Sequence, residues 1–225
     1  MGTDCSNDGR QRTLGVGLIH DKSGLAWCSE NASAYNLEIK PIKCPPNGKS
    51  GGYTFSGDRD GSDNLLQIAE YLKDNGKKDD TSDQSKYPAF YWAKNYASVK
   101  GSNVSGTEYA DGWYLPSSAE LFKLFKAKDT IENIRKSLSS AGVKSGEFGS
   151  QKYMSASQEP TSKSSDFEKI CAPMLGFATG SLNFTGKNQL LKGESVPYAI
   201  LVLQELRWQS QSQTLLSTIH LPKKE

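Results

Sequence analysis

The stretch ADGWYLPSSAELFKLF, residues 110–125, sets a run of large apolar side chains directly against a helix start. Pro116 has no backbone N–H and ends the extended run before it. Ser117 followed three residues later by Glu120 is a capping box, in which each side chain satisfies a free backbone N–H at the other residue. Leu121, Leu124 and Phe125 then recur at helical spacing as a buried stripe. Trp113 and Leu115 are expected to anchor the core on the extended side. The stretch thus reads as a hinge between a strand and a helix.

The same physical signals extend outward from this hinge. TLGVGLIHDKSGLAWCSE, residues 13–30, alternates apolar and polar residues on either side of Asp21-Lys22-Ser23-Gly24, predicting a β-hairpin. CPPNGKSGGYTFSGDRDGSD, residues 44–63, is rich in Pro and Gly and predicts mostly loop. A helix follows, with Asp63 or Asn64 as its cap, Leu65, Ile68, Ala69 and Leu72 in its apolar stripe, and Asn75-Gly76 as its stop. Pro88 suits the first turn of a second helix carrying Ala89, Trp92, Ala93 and Tyr96 on one face. DTIENIRKSL, residues 129–138, predicts a further helix with Ile131, Ile134 and Leu138 aligned. Beyond Gly142 the period becomes strand-like at residues 152–157, 172–180 and 196–206. The last of these carries contiguous Leu201, Val202 and Leu203, as a central strand buried on both faces does. The expectation is one α+β domain over residues 13–206, preceded by a disordered segment, 1–12, and followed by a polar tail, 207–225.

Length and charge exclude several classes. A chain of 225 residues can bury a substantial core without needing metal or disulfides. A formal net charge of +2, from 27 basic and 25 acidic residues, lacks the basic excess that holds nucleic acid or an anionic membrane. No apolar run approaches the roughly 20 residues that span a bilayer. The polar opening after Met1-Gly2 reads as a start put in place of a removed export signal. Cys5 then falls where the lipid-bearing cysteine of a bacterial lipoprotein would stand, the one expected route to a membrane. Cys28 and Cys44 bracket a loop that a disulfide would close, against the alternative of unpaired thiols.

Catalytic constellations are hard to build from two histidines, His20 and His220, and four dispersed cysteines. GVGLIH lacks the glycine pattern of a phosphate loop. No enzyme activity and no cofactor are therefore expected, with one candidate metal site. Asp58, Asp60 and Asp63 alternate with turn-forming residues, so their carboxylates are candidate ligands for Ca²⁺. The alternative is an acidic turn that caps the following helix.

Asp111-Gly112-Trp113-Tyr114-Leu115-Pro116-Ser117 with Ala119-Glu120-Leu121 resembles the D-W-[RY]-L-P-[ST]-x-x-E-L signature of a large bacterial family. That family is related to the C-terminal domain of the collagen-like adhesin Lcl. Tyr153-Met154-Ser155-Ala156-Ser157-Gln158 is similar to its Y-W-S-S-[ST]-E motif, and residues 196–206 fall where it has a final strand. The resemblance implies a C-type lectin-like fold, with helices packed on small antiparallel sheets and long loops presenting a binding surface. Related folds include formylglycine-generating enzymes and retroelement-diversified surface receptors. This chain departs from them in several places. It has Tyr114 and Met154 where the family has Arg and Trp, Glu159-Pro160-Thr161 without a sugar-binding calcium motif, and no paired active-site cysteines near Cys171.

The function expected from this resemblance is an exported, non-catalytic surface protein that binds a protein or glycan ligand at the cell surface or in the periplasm. A retroelement-diversified receptor is one subtype, and a formylglycine-generating-type oxidase or other envelope enzyme is the alternative. The ligand face is expected in the loops over 155–169 and 180–195, with Phe167, Asn183, Phe184 and Asn188 as contacts.

Overall fold

The computed structural model of the chain describes residues 5–21, 24–143, 146, 151–158, 171–188, 198–199 and 202–206. The architecture is mixed α+β, with four helices and three small sheets. Strands β1 (Leu14–Val16), β9 (Leu203–Glu205) and β4 (Trp113–Tyr114) form an antiparallel sheet with β9 in the middle. Strands β2 (Pro46–Asn47) and β3 (Thr54–Phe55) pair locally. The third sheet runs in the order β7 (Ser181–Gly186), β6 (Cys171–Gly176), β5 (Lys152–Met154), β8 (Tyr198–Ala199), with β8 parallel to β5.

Helix α1 (Asn64–Asp74) buries Ile68 and Leu72, as its spacing predicts. Asp63 occupies its N-cap position without a capping hydrogen bond, and its carboxylate instead accepts from Gln67 Nε2 at 2.8 Å. Helix α2 (Pro88–Lys94) has proline in its first turn and buries Ala89, Phe90 and Ala93. Helix α3 (Ser118–Lys126) starts with the predicted capping box, both halves of which are formed. Helix α4 (Lys128–Ser140) follows after one residue, and none of its side chains is buried. In its apolar row Ile131 packs against a core at its edge while Ile134 is 56 % exposed, so the periodic pattern there marks a helix that is only grazed by the core.

Three readings of the chain change. The hairpin over 13–30 does not form among the described residues: β1 pairs with β9 instead, and Cys28 N donates to Lys187 O at 3.0 Å. Trp27 and Cys28 are fully buried, and their neighbourhood needs partners from distant segments. The strand expected over 196–206 is two strands, β8 and β9, in different sheets; Val202 and Leu203 are buried, and Leu201 lies outside the described residues. Within residues 5–12, expected as disordered lead-in, Cys5, Ser6 and Arg12 are buried in the fold while 7–11 are exposed. The tail over 207–225 lies outside the described residues.

Arg12 explains that packing. Its guanidinium meets Glu120 Oε1 at 2.9 Å, Asp60 Oδ1 at 2.7 Å and Glu205 Oε2 at 3.3 Å. It also donates to Cys5 O at 3.0 Å and to the Tyr114 hydroxyl at 3.2 Å. Glu120 is equally buried. Its Oε1 accepts from the Tyr114 hydroxyl at 2.8 Å, and its Oε2 accepts from Ser117 N at 2.9 Å and Gly61 N at 3.0 Å. A side chain at Gly61 would fill that approach, because a Cβ there would lie 2.5 Å from Ser117 N and 2.9 Å from Glu120 Oε2. The capping glutamate is therefore the meeting point of the lead-in, β4, α3 and the loop before α1, and Arg12 joins it to Glu205 of β9.

The buried apolar side chains form two clusters. One gathers Trp27, Ile39, Ile68, Leu72, Phe90 and Trp113. The Trp113 ring sits 4.5 Å from that of Tyr96, and its Nε1 donates to Tyr109 O at 2.7 Å. The other gathers Leu121, Leu124, Tyr153, Leu175, Phe177 and Leu203.

Trp113→Ala should cost about 3–5 kcal/mol in chemical denaturation, since a buried indole leaves a cavity the neighbours cannot fill. Arg12→Ala should cost a similar ~3–5 kcal/mol at pH 8, because buried Glu120 loses its guanidinium and must hold an unpaired charge or take up a proton that the unfolded chain does not carry. Burial pushes the Glu120 carboxyl up to about 7 from its usual 4.5, against the pull of Arg12. A raised folded pKa means the folded state holds the proton more tightly, so this group's contribution falls as pH rises from about 4.5 through 7. Removing Arg12 raises it further, so the deficit of Arg12→Ala should shrink at pH 5. A deficit independent of pH between 5 and 8 would contradict this.

Candidate functional site

Strand β3 and helix α3 face each other across a groove of about 530 Å³. Alternation along the extended chain brings Tyr53 and Phe55 to one side, and the β2–β3 pairing of Pro46 with Phe55 fixes their register. Helical spacing on α3 brings Ala119, Phe122, Lys123 and Lys126 to the opposing wall. The ring of Phe122 lies 5.7 Å from both Tyr53 and Phe55, making an aromatic floor of tilted and edge-on rings. Phe122 is buried, whereas Tyr53 and Phe55 keep part of their surface in solvent.

Arg59, Lys123 and Lys126 supply the charge, and no lining residue is acidic. The backbone of Arg59 is clamped on both sides: its N–H donates to Asn7 Oδ1 at 2.8 Å, and its carbonyl accepts from Ser117 Oγ at the same distance. Lys126 Nζ reaches Gly51 O at 3.5 Å, next to the turn that leads into β3. The groove combines flat apolar surface with positive charge, and its lining contains no carboxylate, imidazole or thiol. A second, smaller cleft of about 370 Å³ lies along α1 beside Trp113 and is more apolar, with Leu65, Leu66 and Phe90 in its walls.

Three of the expected ligand contacts, Asn183, Phe184 and Asn188, lie among the described residues. Asn183 and Phe184 belong to β7, the edge strand, and consecutive strand residues face opposite sides of a sheet. The Asn183 amide donates to Ser181 O at 3.1 Å. Asn188 donates to Glu30 Oε1 at 2.6 Å, in the turn that follows β7. Phe167 lies outside the described residues, as does Glu159-Pro160-Thr161. The groove residues carried a weak sequence signal, the alternating Tyr53-Thr54-Phe55 inside a Gly-rich stretch, which read as loop.

The aspartate triplet serves the fold. Asp58 is buried, and its Oδ1 accepts from Asn7 Nδ2 at 2.6 Å. With its amide nitrogen turned toward them, Asn64 donates to Asp58 Oδ2 and to Asp60 O, both at 2.8 Å. Burial pushes the Asp58 carboxyl up to about 6, an environment that disfavours a bare charge. Asp60 is paired with Arg12 and accepts from Ser62 N at 2.9 Å, while Asp63 holds Gln67. Among the described residues no group of three or more His, Cys, Asp or Glu side chains is arranged to hold a metal ion.

Cys28 and Cys44 are separate buried thiols rather than a disulfide. Cys28 lies beside Lys187, and burial pushes the Cys44 thiol up to about 12. Cys5, expected as a lipid-bearing position, is fully buried with its thiol 3.7 Å from Ala119 O. His20 is buried, with Nδ1 3.1 Å from the Tyr153 hydroxyl, and His220 lies outside the described residues. No helix of the described residues is long and apolar enough to cross a membrane. No family model matches the chain, and no curated protein or solved structure matches it significantly.

Millimolar Ca²⁺ should leave the melting temperature unchanged relative to chelator, because each of the three aspartates is held by protein donors. A calcium-dependent rise would mean that these carboxylates can leave their partners for a cation.

Proposed function

We propose that this chain is a non-catalytic, exported surface protein that binds an anionic glycan in the groove between β3 and α3. The observation that carries the reading is the groove's composition: three aromatic rings with Arg59, Lys123 and Lys126 around them and no acidic residue. Aromatic rings offer flat apolar surface against the CH faces of a sugar, and guanidinium or ammonium groups pair with carboxylate or sulfate substituents. The groove's wall is held by the capping box and the Glu120 hub, so its geometry is set before a ligand arrives.

The resemblance to the Lcl C-terminal type of domain supports the same reading. Its two most specific motifs here touch one another: Ala156 N donates to Pro116 O at 2.7 Å, and Ser118 N donates to Ser157 Oγ at 3.1 Å. Small antiparallel sheets with helices packed on them are what a C-type lectin-like scaffold would need, and this scaffold type is part of the proposal. On it, the groove is a ligand face built from a strand and a helix, with loops at its margins.

An array of neutral, uronate-bearing and sulfated oligosaccharides, followed by titration of the best binder, tests the proposal. Binding should favour the acidic probes and weaken as salt rises. Arg59→Ala combined with Lys126→Ala should weaken acidic probes by about tenfold or more, as loss of two charge-assisted contacts implies. Tyr53→Ala should weaken them further. An array without acidic binders, or binding unaffected by all three replacements, would sink the reading.

A further inference from the structure

At one end of the groove between β3 and α3, two turns from distant parts of the chain are clasped together. Gly52 lines the groove, and the turn that contains it joins β2 to β3. The turn between β6 and β7 meets it there. Gly51 N donates to Gly180 O at 3.2 Å, and Ser50 Oγ donates to Thr179 O at 3.1 Å. Thr179 Oγ1 donates to Ser181 Oγ at 2.8 Å, and Ser181 Oγ lies 2.7 Å from Ser50 Oγ. Lys126 lines the groove and reaches Gly51 O at 3.5 Å, so the hydroxyl patch begins where the charged wall ends.

The patch stands on the same helix as the groove. Phe125 of α3 packs under Gly180, where a Cβ would lie 2.5 Å from its Cε1, and Gly180 also has φ +67°, so only glycine fits there. The Phe125 ring is stacked on Phe122, the groove's floor, at 5.8 Å. Lys128 holds the other end of the turn by donating to Phe177 O at 3.0 Å. Asn183, two residues along β7 from Ser181, donates to Ser181 O at 3.1 Å. The three hydroxyls are therefore positioned before any ligand arrives.

A hydroxyl has one hydrogen to give and two lone pairs to offer. With Ser50 donating to Thr179 O and Thr179 to Ser181, Ser181 donates to Ser50, and all three hydrogens are used inside the patch. Lone pairs are what it offers a ligand, and Ser50 and Thr179 are exposed. A sulfate or carboxylate brings only acceptors to such a surface, whereas a sugar hydroxyl or amide brings the donor it lacks. We infer that the clasped turns are a second subsite of the groove, which takes a hydroxyl- or amide-bearing sugar residue next to the charged one. This rests on the glycan reading of the groove and narrows the ligand class. The favoured chain is an acidic oligosaccharide that keeps free donors beside its charged residue, while a fully sulfated chain engages the groove alone.

The test titrates the full chain with oligosaccharides that alternate a uronate with an N-acetylhexosamine, from disaccharide to hexasaccharide. Affinity should rise about tenfold over the series, as two further hydrogen bonds imply. In the double variant Ser50→Ala with Ser181→Ala, the hexasaccharide should bind no tighter than the disaccharide. Nuclear magnetic resonance of the unaltered chain covers the case of a variant that folds poorly. The amide signals of Gly51 and Ser181 should shift with the hexasaccharide and stay in place with the disaccharide. Full O-sulfation of the hexasaccharide, which replaces donor hydroxyls by acceptors, should abolish those shifts. Equal affinity at every length, a gain that the double variant retains, or amide shifts that survive sulfation overturns the inference and leaves the groove reading standing. A series in which no probe binds at any length overturns both.

Discussion

The fold depends on one buried ion pair, Arg12 with Glu120. Both side chains are removed from water, and that removal costs several kcal/mol per ion before any partner is counted. The cost is offset because every strong hydrogen-bonding position on the carboxylate is used, by a guanidinium, a phenol and two backbone N–H groups. Such a pair stabilises little relative to an apolar core of the same volume, but it discriminates strongly. Only one arrangement of the lead-in, the loop before α1, the start of α3 and the β9 strand satisfies it. Tyr114 belongs to the same network through its hydroxyl.

Lys187 repeats the logic on a smaller scale. It is wholly buried, with no carboxylate paired to it among the described residues, and its Nζ donates to Ala34 O at 2.7 Å and Leu37 O at 3.0 Å above the ring of Trp27. Burial pulls its ammonium down to about 8, and carbonyl dipoles with an aromatic face take the place of water. Gln158 does related work nearby, joining Ile39 N, Leu37 O and Ile42 O. In this chain irregular backbone over 34–42 is held by distant polar side chains where a regular sheet would hold it by itself.

Legibility in the sequence followed the range of each interaction. The start of α3 was readable because Ser117 and Glu120 are three residues apart and their bonds are local. The helices α1 and α2 were readable from spacing and from Pro88. The hairpin over 13–30 was misread because period-two alternation identifies a strand without naming its partner, and the partner here is 189 positions away, Gln204 opposite Gly15. Arg12 carried no signal at all, since an arginine in a polar lead-in looks like solvent-facing charge until Glu205 and Glu120 are brought to it. The aspartate triplet had the right chemistry for a cation, yet the donors that occupy it, Asn7, Asn64 and Arg12, come from three separate segments. The groove was hidden for the same reason. Tyr53 and Phe55 read as loop aromatics, and Lys123 and Lys126 as the wet side of a helix, until β3 lies across α3.

Scaffold and binding surface meet on that helix. Glu120, Leu121 and Leu124 face the hub and the core, while Phe122, Lys123 and Lys126 face the groove. Ala119 belongs to both, lining the groove while its carbonyl meets the Cys5 thiol. A helix of nine residues is marginal on its own and takes its position from what it packs against. Its first turn is held by the capping box, by Arg12 acting through Glu120, and by Ser118 bonded to Ser155 and Ser157. Loosening the lead-in therefore frees the wall that carries two of the three groove cations. The third, Arg59, is tethered through Asn7 to the same lead-in. The segment over 5–12 is thus joined to every charged element of the groove, which is why an uncharged-looking fold problem, the docking of one buried arginine, also sets the geometry available to a ligand.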